Sequence, residues 1–360
     1  MIAEGKSRIF LIHRILPNMQ ILAFDEDEFQ PPFQTIGETF MTTRTNSWDS
    51  EKIGGGTPPL KTKYGWLQIY HGVGIWKGKR AYRLGVVLSA LDNPKRFIFR
   101  SPEPILEPGD EDETEEEAHY QRNGWVPNVV FTCGAVPRYK NSDELLEEDD
   151  EILVYYGVAD EVLCVATATI GELLSGSGRL NRFSGNPILK PRSEASIFEN
   201  GQEIRWERLV YNSGAIRLHG MVYLFYRALG YDGISRIGLA LSSNGFSIEG
   251  RYTYPVFGPK EKYERPINEE ERRKKQLKDY KMSREIGGTE DPRITLIGDN
   301  LYMTYTAYGD TFRLALATMK LKEFLKATKE CRSYEDWENR WQRLGVLFPW
   351  EDKDGFLFKG

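Results

Sequence analysis

The sequence predicts an all-β fold, a five-bladed β-propeller with helical excursions in which both ends of the chain complete one blade. Three observations lead to this prediction. A pattern of three apolar strands, the second rich in tyrosine and phenylalanine, occurs five times along the 360 residues. One of the five copies is split between the start and the end of the chain. A closed ring of such repeats explains the split, because its two ends meet in space.

Four copies are continuous, and each has a turn of glycine, asparagine, aspartate or charged residues between its first two strands. They cover 58–91, 134–170, 214–243 and 292–321. The split copy combines KSRIFLIHR at Lys6–Arg14 and MQILAFD at Met19–Asp25 with DGFLFK at Asp354–Lys359. On the pattern alone, an open β-sandwich of ordinary hairpins remains the alternative.

The stretch Gly287–Tyr308, GGTEDPRITLIGDNLYMTYTAY, predicts a hairpin with acids at its rim. Arg293–Leu296 is strand-like, a turn follows at 298–300, and Leu301–Tyr308 alternates as a second strand. Glu290 and Asp291 then lie just before the first strand. Because Pro292 restricts the preceding residue, we expect Asp291 to be extended.

Three segments depart from β character. Lys260–Glu285 and Phe324–Arg343 carry charges and apolar residues at helical spacing and are predicted as helices outside the ring. A solvated helical face is the simple interpretation of both, and a lid or a contact in a homo-oligomer is the alternative. The acidic run Gly109–Ala118 is predicted as a solvated loop.

Composition excludes several classes of function. A formal net charge of -5 argues against a nucleic-acid partner, since phosphate binding needs a basic face. No apolar run predicts a membrane span and no signal peptide is recognisable, so we expect a cytoplasmic protein without a membrane partner. The three cysteines have no metal spacing, which predicts reduced thiols and neither a metal nor another cofactor.

Polar side chains occur at the same relative end of every repeat, where they would line a funnel on the axis of a propeller. These residues are His13, Arg14, Lys61, His71, Tyr82, Asn128, Asp160, Asn212, Ser213, Arg227, Glu290, Asp291, Arg293, Lys353 and Asp354. Carboxylates and aromatic rings suit a sugar, and the basic groups among them suit an anion bound beside it. Taken alone, His71 also fits a structural histidine and Asp291 a turn carboxylate; the shared position favours a site.

The sequence resembles glycoside hydrolase family 130, the β-mannoside phosphorylases and related β-mannosidases. Matching motifs cover nearly the whole chain: LIHR at Leu11–Arg14, SWDSEKIGGGTPPLKT at Ser47–Thr62, GWLQIYHGV at Gly65–Val73, YRLG at Tyr82–Gly85, VPNVVF at Val126–Phe131, YYGVAD at Tyr155–Asp160, GNPIL at Gly185–Leu189, YNSGA at Tyr211–Ala215, GGTEDPRIT at Gly287–Thr295, TYTAY at Thr304–Tyr308 and KDGFLF at Lys353–Phe358. The resemblance also implies the five-bladed propeller, as a single catalytic domain over 1–360.

The order of the motifs departs from that of the family. Residues 1–178 resemble the family's C-terminal half and 179–360 its N-terminal half. The chain therefore resembles a circular permutant opened within the split blade, a change that a ring with adjacent ends allows.

The resemblance assigns roles to the polar residues. It implies that Asp291 is the general acid, acting through a hydroxyl of the mannose, while phosphate attacks from the opposite face with inversion. Phosphate would be held by Arg14, Lys61, His71 and Tyr82. Substrate would be bound by Asn212, Ser213, Arg227, Asp160, Glu290, Arg293, Asp354 and His13, with Arg293 also orienting Asp291.

Three functions fit these expectations. The favoured one is an inverting β-mannoside phosphorylase that consumes a β-mannoside oligosaccharide and inorganic phosphate and gives α-mannose 1-phosphate. The alternative is an inverting β-mannosidase, which needs a second carboxylate to activate water. A glycan-binding propeller without turnover is the third, and it would predict the loss of Asp291, which is present.

Overall fold

A computed structural model describes residues 8–199, 201–265 and 285–360. The described chain is mostly β-strand, which confirms the all-β prediction. No helix among the described residues is long and apolar enough to cross a membrane. Most of the helix predicted at Lys260–Glu285, residues 266–284, lies outside the described ranges. In the described part of this segment, Lys262–Glu264 forms one turn of 3-10 helix.

The first sheet combines strands from both ends of the sequence. Its strands are β1 Arg8–Ile15, β2 Asn18–Asp25, β3 Glu38–Met41 and β23 Lys353–Lys359. The order across the sheet is β23-β1-β2-β3. Strand β23 is at one edge of the sheet and pairs antiparallel with β1.

The next two sheets follow in chain order. The second contains β4 Lys52–Gly55, β5 Leu60–Thr62, β6 Gly65–Trp76, β7 Lys79–Ser89 and β8 Phe97–Arg100. The third contains β9 Val130–Pro137, β10 Glu151–Val158, β11 Val162–Thr169 and β12 Asn181–Arg182. Strands β10 and β11 are rich in β-branched and aromatic residues and almost wholly buried, as expected of strands covered on both faces.

The largest sheet has eight strands. It contains β15 Leu209–Leu218, β16 Met221–Leu229, β17 Ile234–Ser242, β18 Gly250–Arg251, β19 Gly287–Ile297, β20 Asn300–Tyr308, β21 Phe312–Lys320 and β22 Gln342–Val346. A parallel pairing between β17 and β19 joins its two halves through only two residue pairs, Ile234 with Gly287 and Ser235 with Gly288. A separate hairpin precedes this sheet, formed by β13 Ser196–Glu199 and β14 Gln202–Arg205.

Helices lie outside the sheets. They are α1 Glu115–Asn123, α2 Ile170–Leu174, α3 Leu321–Glu330 and α4 Tyr334–Glu338. Helices α3 and α4 confirm the helical prediction for Phe324–Arg343, except that β22 begins at Gln342. The predicted acidic loop is wrong in its second half, because Thr114 caps α1 and the buried Glu117 pairs with Arg182 at 3.5 Å.

Apolar clusters fill the space between neighbouring sheets. Phe10 and Phe356 of the first sheet pack with Tyr70 of the second, and Leu84 of the second packs with Val154 of the third. Three further clusters join the third sheet to β15–β17, β15–β17 to β19–β21, and β19–β21 back to the first sheet. If β15–β18 and β19–β22 are counted as two units, each unit packs against two neighbours through these clusters. The five clusters therefore form a closed cycle.

Candidate active site

Irregular strand pairing brings three short polar side chains together. The pairing of β15 is interrupted between Tyr211 and Gly214, that of β19 between Glu290 and Arg293, and that of β1 with β23 between Ile12 and Arg14. One residue at each irregularity has a left-handed backbone: Asn212 with φ 47°, Asp291 with φ 48° and Asp354 with φ 59°. Asparagine and aspartate tolerate this conformation best after glycine, and a bulge turns a side chain out of the sheet.

The expectation that Asp291 is extended is therefore wrong. Pro292 does disfavour a right-handed helical backbone before it, but the bulge selects the left-handed region instead. The acids also lie within β19 rather than before it. Asp291 is buried, and its Oδ1 accepts a hydrogen bond of 2.9 Å from Nδ2 of Asn212.

One side of Asp291 is crowded with carboxylates around a single guanidinium group. Arg227 contacts Asp291 Oδ1 at 3.3 Å, Glu290 Oε1 at 2.8 Å and Glu285 Oε1 at 3.2 Å. Its guanidinium carbon lies 4.8 Å from the centre of the Tyr211 ring, and the Tyr211 hydroxyl donates to Glu285 at 2.9 Å. We call this set, Arg227 with Glu285, Glu290, Asp291 and nearby Asp160, the acidic side.

Burial and neighbouring negative charge raise the pKa of two acids of the acidic side, Glu290 and Asp160. Burial, with the charges of Glu285 and Asp291, raises the pKa of Glu290 to about 8 against the opposing charge of Arg227. Burial and Glu285 likewise raise the pKa of Asp160 to about 7. Protonated carboxyl groups donate as well as accept hydrogen bonds, which suits the hydroxyls of a sugar.

The other side of Asp291 has the opposite balance. Asp354 Oδ2 lies 2.6 Å from Nη1 of Arg14 and 3.6 Å from Nε2 of His71, and Asp354 Oδ1 lies 3.5 Å from Nη2 of Arg293. Burial alone would raise the pKa of Asp354, but the charges of Arg14, Lys353 and Arg293 outweigh it and lower the pKa. We call Asp354 with Arg14, Lys52, His71, Tyr82 and Lys353 the basic side.

Arg293 joins the two sides. Its Nη1 donates to the main-chain oxygen of Asp291 at 3.1 Å, and its Nε and Nη2 donate to the main-chain oxygens of Gly56 and Gly55 at 2.8 and 2.7 Å. The whole guanidinium group is thus fixed by main chain and by Asp354. Arg293 is placed to hold the bulge that carries Asp291, in agreement with the orienting role that the resemblance implies.

His71 is neutral and has hydrogen-bonding capacity to spare. Burial and the charges of Arg14, Arg293 and Lys52 lower its pKa to about 3, although Asp354 opposes the shift. Its ring packs against Phe131 with centres 4.5 Å apart. Neither ring nitrogen has a hydrogen-bond partner within the described ranges. Buried polar atoms without a partner in an otherwise well-bonded site are suited to contact a ligand.

Sequence reasoning missed Lys52. Its Nζ donates to the Tyr82 hydroxyl at 2.6 Å, and burial together with the charge of Arg14 lowers its pKa. The motif SEKIGGG carried the signal, since the glycines after Lys52 allow the strand to pass close to His71 and Asp354: a Cβ at Gly54 would lie 2.5 Å from the His71 ring. Glu285 and Tyr211 of the acidic side were also missed.

The structure does not bring Lys61 and His13 to the site. Lys61 is exposed, with Nζ 5.7 Å from the centre of the Trp66 ring, and it lines a cavity of about 360 Å³ together with Phe358. Phe358 is four residues along β23 from Asp354, about 13 Å at the usual rise of a strand. His13 is buried with both ring nitrogens occupied, Nδ1 by Asp352 at 2.5 Å and Nε2 by the Ile36 oxygen at 2.9 Å.

Asn212 and Ser213 lie in the bulge of β15. Ser213 is buried beside Asn212 and donates to the Gly214 oxygen at 2.8 Å, so it shapes the bulge of β15. The amide oxygen Oδ1 of Asn212 is buried without a hydrogen-bond partner among the described residues. No group of three or more His, Cys, Asp or Glu in those residues is arranged to hold a metal ion.

Comparison with known protein families identifies a family of carbohydrate-active enzymes. The family model of glycoside hydrolase family 130, described as beta-1,4-mannooligosaccharide phosphorylase, matches residues 2–176 and 179–359. The chain belongs to this family.

Similar proteins include two mannoside phosphorylases. The 1,2-beta-oligomannan phosphorylase of Thermoanaerobacter sp. (strain X514) is 38% identical over 168 residues, 45% of this chain and 47% of that protein. The beta-1,4-mannooligosaccharide phosphorylase of Ruminococcus albus is 30% identical over 36% of this chain and 33% of that protein. The chain thus spans less than half the length of these curated relatives.

The fold is also similar to that of a solved structure described as a BT0996 RGII complex. The TM-score is 0.50 at 12% sequence identity, and the similarity covers 87% of this protein and 87% of the solved one. At this identity the likeness concerns the fold alone.

Proposed function

We propose that the chain is an inverting β-mannoside phosphorylase. An oxygen of inorganic phosphate forms a bond to the anomeric carbon of a terminal β-mannosyl unit, and the glycosidic bond breaks. The leaving oxygen takes a proton that originates on Asp291, and the products are α-mannose 1-phosphate and the shortened sugar. The observation that carries this proposal is the basic side, an anion-binding cluster next to the acid in a member of this family.

Asp291 is the proposed general acid. Its contacts from Asn212 and Arg227 both end on Oδ1, so among the described contacts Oδ2 is left for a substrate hydroxyl. The bulge and the Arg293 bond to its main-chain oxygen fix the direction of the carboxyl group. Such fixed placement is what general acid catalysis requires.

The mannosyl unit is proposed to lie against the acidic side. Asn212 Oδ1, with no partner among the described residues, can accept from a sugar hydroxyl, while Asp160 and Glu290, with pKa values of about 7 and 8, can donate or accept. Arg227 holds these groups in one geometry through its contacts to Glu290 and Asp291.

Phosphate is proposed to bind the basic side through Arg14, Lys52, His71 and Tyr82, which replaces the expected Lys61 with Lys52. The cationic groups compensate the negative charge, and neutral His71 can donate one hydrogen bond to a phosphate oxygen. Preorganised donors of this kind also stabilise charge as it moves during the reaction.

The contrast with a hydrolase supports the phosphorylase. An inverting hydrolase needs a carboxylate base across from the acid to activate water. The described carboxylate on the basic side is Asp354, whose pKa is lowered and whose oxygens face Arg14, His71 and Arg293. A carboxylate held in this way is a weak base, so the nucleophile is better supplied as an anion from solution.

The test is an assay of purified protein on β-1,2-, β-1,3- and β-1,4-mannobiose and on mannosyl-glucose, with and without phosphate. We expect mannose 1-phosphate in equal amount to the released sugar, only when phosphate is present. Free mannose at the same rate without phosphate would establish a hydrolase. Binding of these sugars without any product would favour the glycan-binding alternative.

We further propose that the closed cycle is a five-bladed β-propeller. The eight-stranded sheet divides at its two-pair junction into β15–β18 and β19–β22, which with the other three large sheets makes five units. Five apolar clusters between successive units support the same division. On this interpretation the first sheet is a blade completed by β23.

The inverted order of the two halves is proposed to be a circular permutation. The family model matches in two segments that meet between 176 and 179, next to the boundary predicted after 178. Pairwise matches to curated relatives cover less than half of the chain, as expected if a collinear alignment can follow only one half at a time.

A further inference from the structure

Alternating aromatic and guanidinium groups form a stack near the acidic side. The Arg205 guanidinium carbon lies 4.3 Å from the centre of the Tyr231 ring, and that of Arg208 lies 6.0 Å from the same ring and 4.7 Å from the Trp125 ring. The Tyr231 side chain is 50% exposed, which is high for an aromatic residue. We call Trp125, Arg205, Arg208 and Tyr231 the aromatic stack.

The aromatic stack continues directly from the site. Tyr211 and Arg227 are paired across β15 and β16, and Leu209 and Leu229 form the last pair of the two strands, two positions further along. Arg208 and Tyr231 follow just beyond that pair, and Trp125 packs against Leu209, Tyr211 and Leu229. Tyr231 therefore lies two residues beyond the end of β16, the strand that carries Arg227 of the acidic side.

Beyond Tyr231 there is room for more than one sugar. Tyr231 and Arg205 line a cavity of about 1250 Å³, which extends along the hairpin β13–β14. Its walls also carry the polar groups of Glu199 and Gln202. A volume of this size exceeds the upper end of the usual range for small-ligand pockets, about 1000 Å³.

Stereochemistry places the leaving sugar on this side. Asp291 contacts two different groups of residues. Through Arg227 and Tyr211 it is connected to the aromatic stack. Through Arg293 it is connected to Asp354 and the basic side. In an inverting reaction the nucleophile and the leaving group lie on opposite faces of the anomeric carbon. If phosphate occupies the basic side, the leaving group points toward the aromatic stack.

We propose that Tyr231, flanked by Arg205 and Arg208, binds the second sugar of the leaving oligosaccharide, so that the enzyme favours β-mannosides of three or more units. This inference rests on the proposed phosphorylase. Arg205 lies over the phenol ring at 4.3 Å, and the exposed part of the ring packs on the apolar face of a pyranose. The edges of the guanidinium groups donate to the hydroxyls of this sugar. A disaccharide has no second leaving sugar and gains nothing from this contact.

The experiment measures KM and kcat of Tyr231→Ala on β-mannobiose, β-mannotriose and β-mannotetraose of the linkage that the unaltered enzyme prefers. We expect KM to rise about five- to tenfold for the triose and tetraose, and to stay within about twofold for the biose. Tyr231→Phe keeps the ring and should restore the low values. Tyr139→Ala is the matched control, because Tyr139 is also exposed and lies 5.1 Å from an arginine, Arg138, just past the far end of β9.

An equal rise for all three lengths, or no rise for any, would overturn the inference while leaving phosphorolysis intact. A separate readout covers the case in which the proposed function fails. Calorimetric titration of the same sugars into Asp291→Asn, with and without Tyr231→Ala, measures binding without turnover. There, weaker binding of the tetraose but not of the biose supports the role of Tyr231, and unchanged binding of both rejects it.

Discussion

The acidic and basic sides of the site are built from the same kinds of groups in opposite proportion. Arg227 faces three carboxylates within 3.3 Å, whereas the single carboxylate of Asp354 faces Arg14, His71 and Arg293 within 3.6 Å. Arg227 and Asp354 are both buried. The protein thus maintains a surplus of negative charge and a surplus of positive charge on either side of one acid.

The difference explains how neutral and anionic substrates can be told apart in a single site. On the acidic side, carboxyl groups with raised pKa values present hydrogen-bonding groups without a full set of charges. On the basic side, the cations lower the pKa of Asp354, and burial together with the cations lowers the pKa values of His71 and Lys52. In the proposed function, the sugar occupies the first environment and phosphate the second.

The largest expected effect comes from the residue between the two sides. Asp291→Asn should lower kcat about 10³-fold, because general acid catalysis is worth that order of rate. The fold should persist, since asparagine also adopts a left-handed backbone and can still accept the hydrogen bond of Asn212. Phosphorolysis rates and thermal unfolding of the variant check both statements.

Asp299→Asn is the control for that change, because Asp299 lies in the turn at the other end of the β19–β20 hairpin. It should leave kcat unchanged. Normal turnover by Asp291→Asn would remove Asp291 from the mechanism and with it the boundary between the two sides.

The next effect tests the anion specificity of the basic side. Lys52→Met should raise the KM for phosphate about ten- to a hundredfold, because it removes a charge-assisted hydrogen bond. The KM for the mannoside should change much less. Initial rates over a phosphate series at saturating sugar measure the effect.

Lys61→Met is the matched control for Lys52→Met. Lys61 is exposed over Trp66 at the far end of the strands, so phosphate affinity should not respond to it. The reverse result, a large effect at Lys61 and none at Lys52, would mean that phosphate binds elsewhere.

A smaller effect distinguishes the two sides by pH. The pKa of Glu290 is the ordinary 4.5 in the unfolded chain and about 8 in the folded protein. At a pH between these two values, Glu290 is therefore protonated in the folded protein and ionised in the unfolded chain. The free energy of unfolding therefore falls as pH rises through this window. Glu290→Gln should flatten the decline of Tm between about pH 5 and 8.

Asp354 should behave in the opposite way. Its lowered pKa means that it is already ionised throughout that window, so its contribution there does not depend on pH. Asp354→Asn should lower Tm by a similar amount at about pH 5 and at about pH 8. If Asp354→Asn, rather than Glu290→Gln, changed the slope of Tm against pH, the charge balance of the two sides would be assigned the wrong way round.

Sequence periodicity predicted the strands that form the inner part of each sheet, and missed the short outer ones. Strands such as β10 and β20 have long runs of buried β-branched and aromatic residues. The outer β12 and β18 have only two residues each and contain no run that a pattern could detect. The acidic loop before Ala118 was misjudged because burial of Glu117 depends on Arg182, which lies far away in sequence.

Motifs located most of the site residues but could not give their directions. Asp291, Asn212 and Asp354 were named from sequence, while their shared left-handed geometry arises from irregular pairing with neighbouring strands. Lys61 and Lys52 are both lysines and lie close together in sequence, yet they pair with opposite ends of β6, at Trp66 and Val73. The long-range packing of the inner strands decides which lysine faces Asp354.

The smallest expected effect concerns the far ends of β1 and β23, the two strands that carry Arg14 and Asp354 of the basic side. The Gly360 amide donates to the Arg8 oxygen at 3.1 Å, and Arg14 and Asp354 lie on the two strands that these ends begin and finish. Joining Gly360 to Met1, with residues 1–7 as the connection, and reopening the chain between Gly176 and Gly178 should preserve the fold. Loop closure over so short a gap costs little, and Gly176 and Gly178 lie in a surface turn.

We expect kcat and the KM for both substrates to stay within about twofold, with a Tm equal to or slightly above that of the unaltered chain. A loss of phosphate affinity without a loss of mannoside affinity would show that the position of the ends shapes the basic side, whereas failure to fold would contradict the permuted propeller.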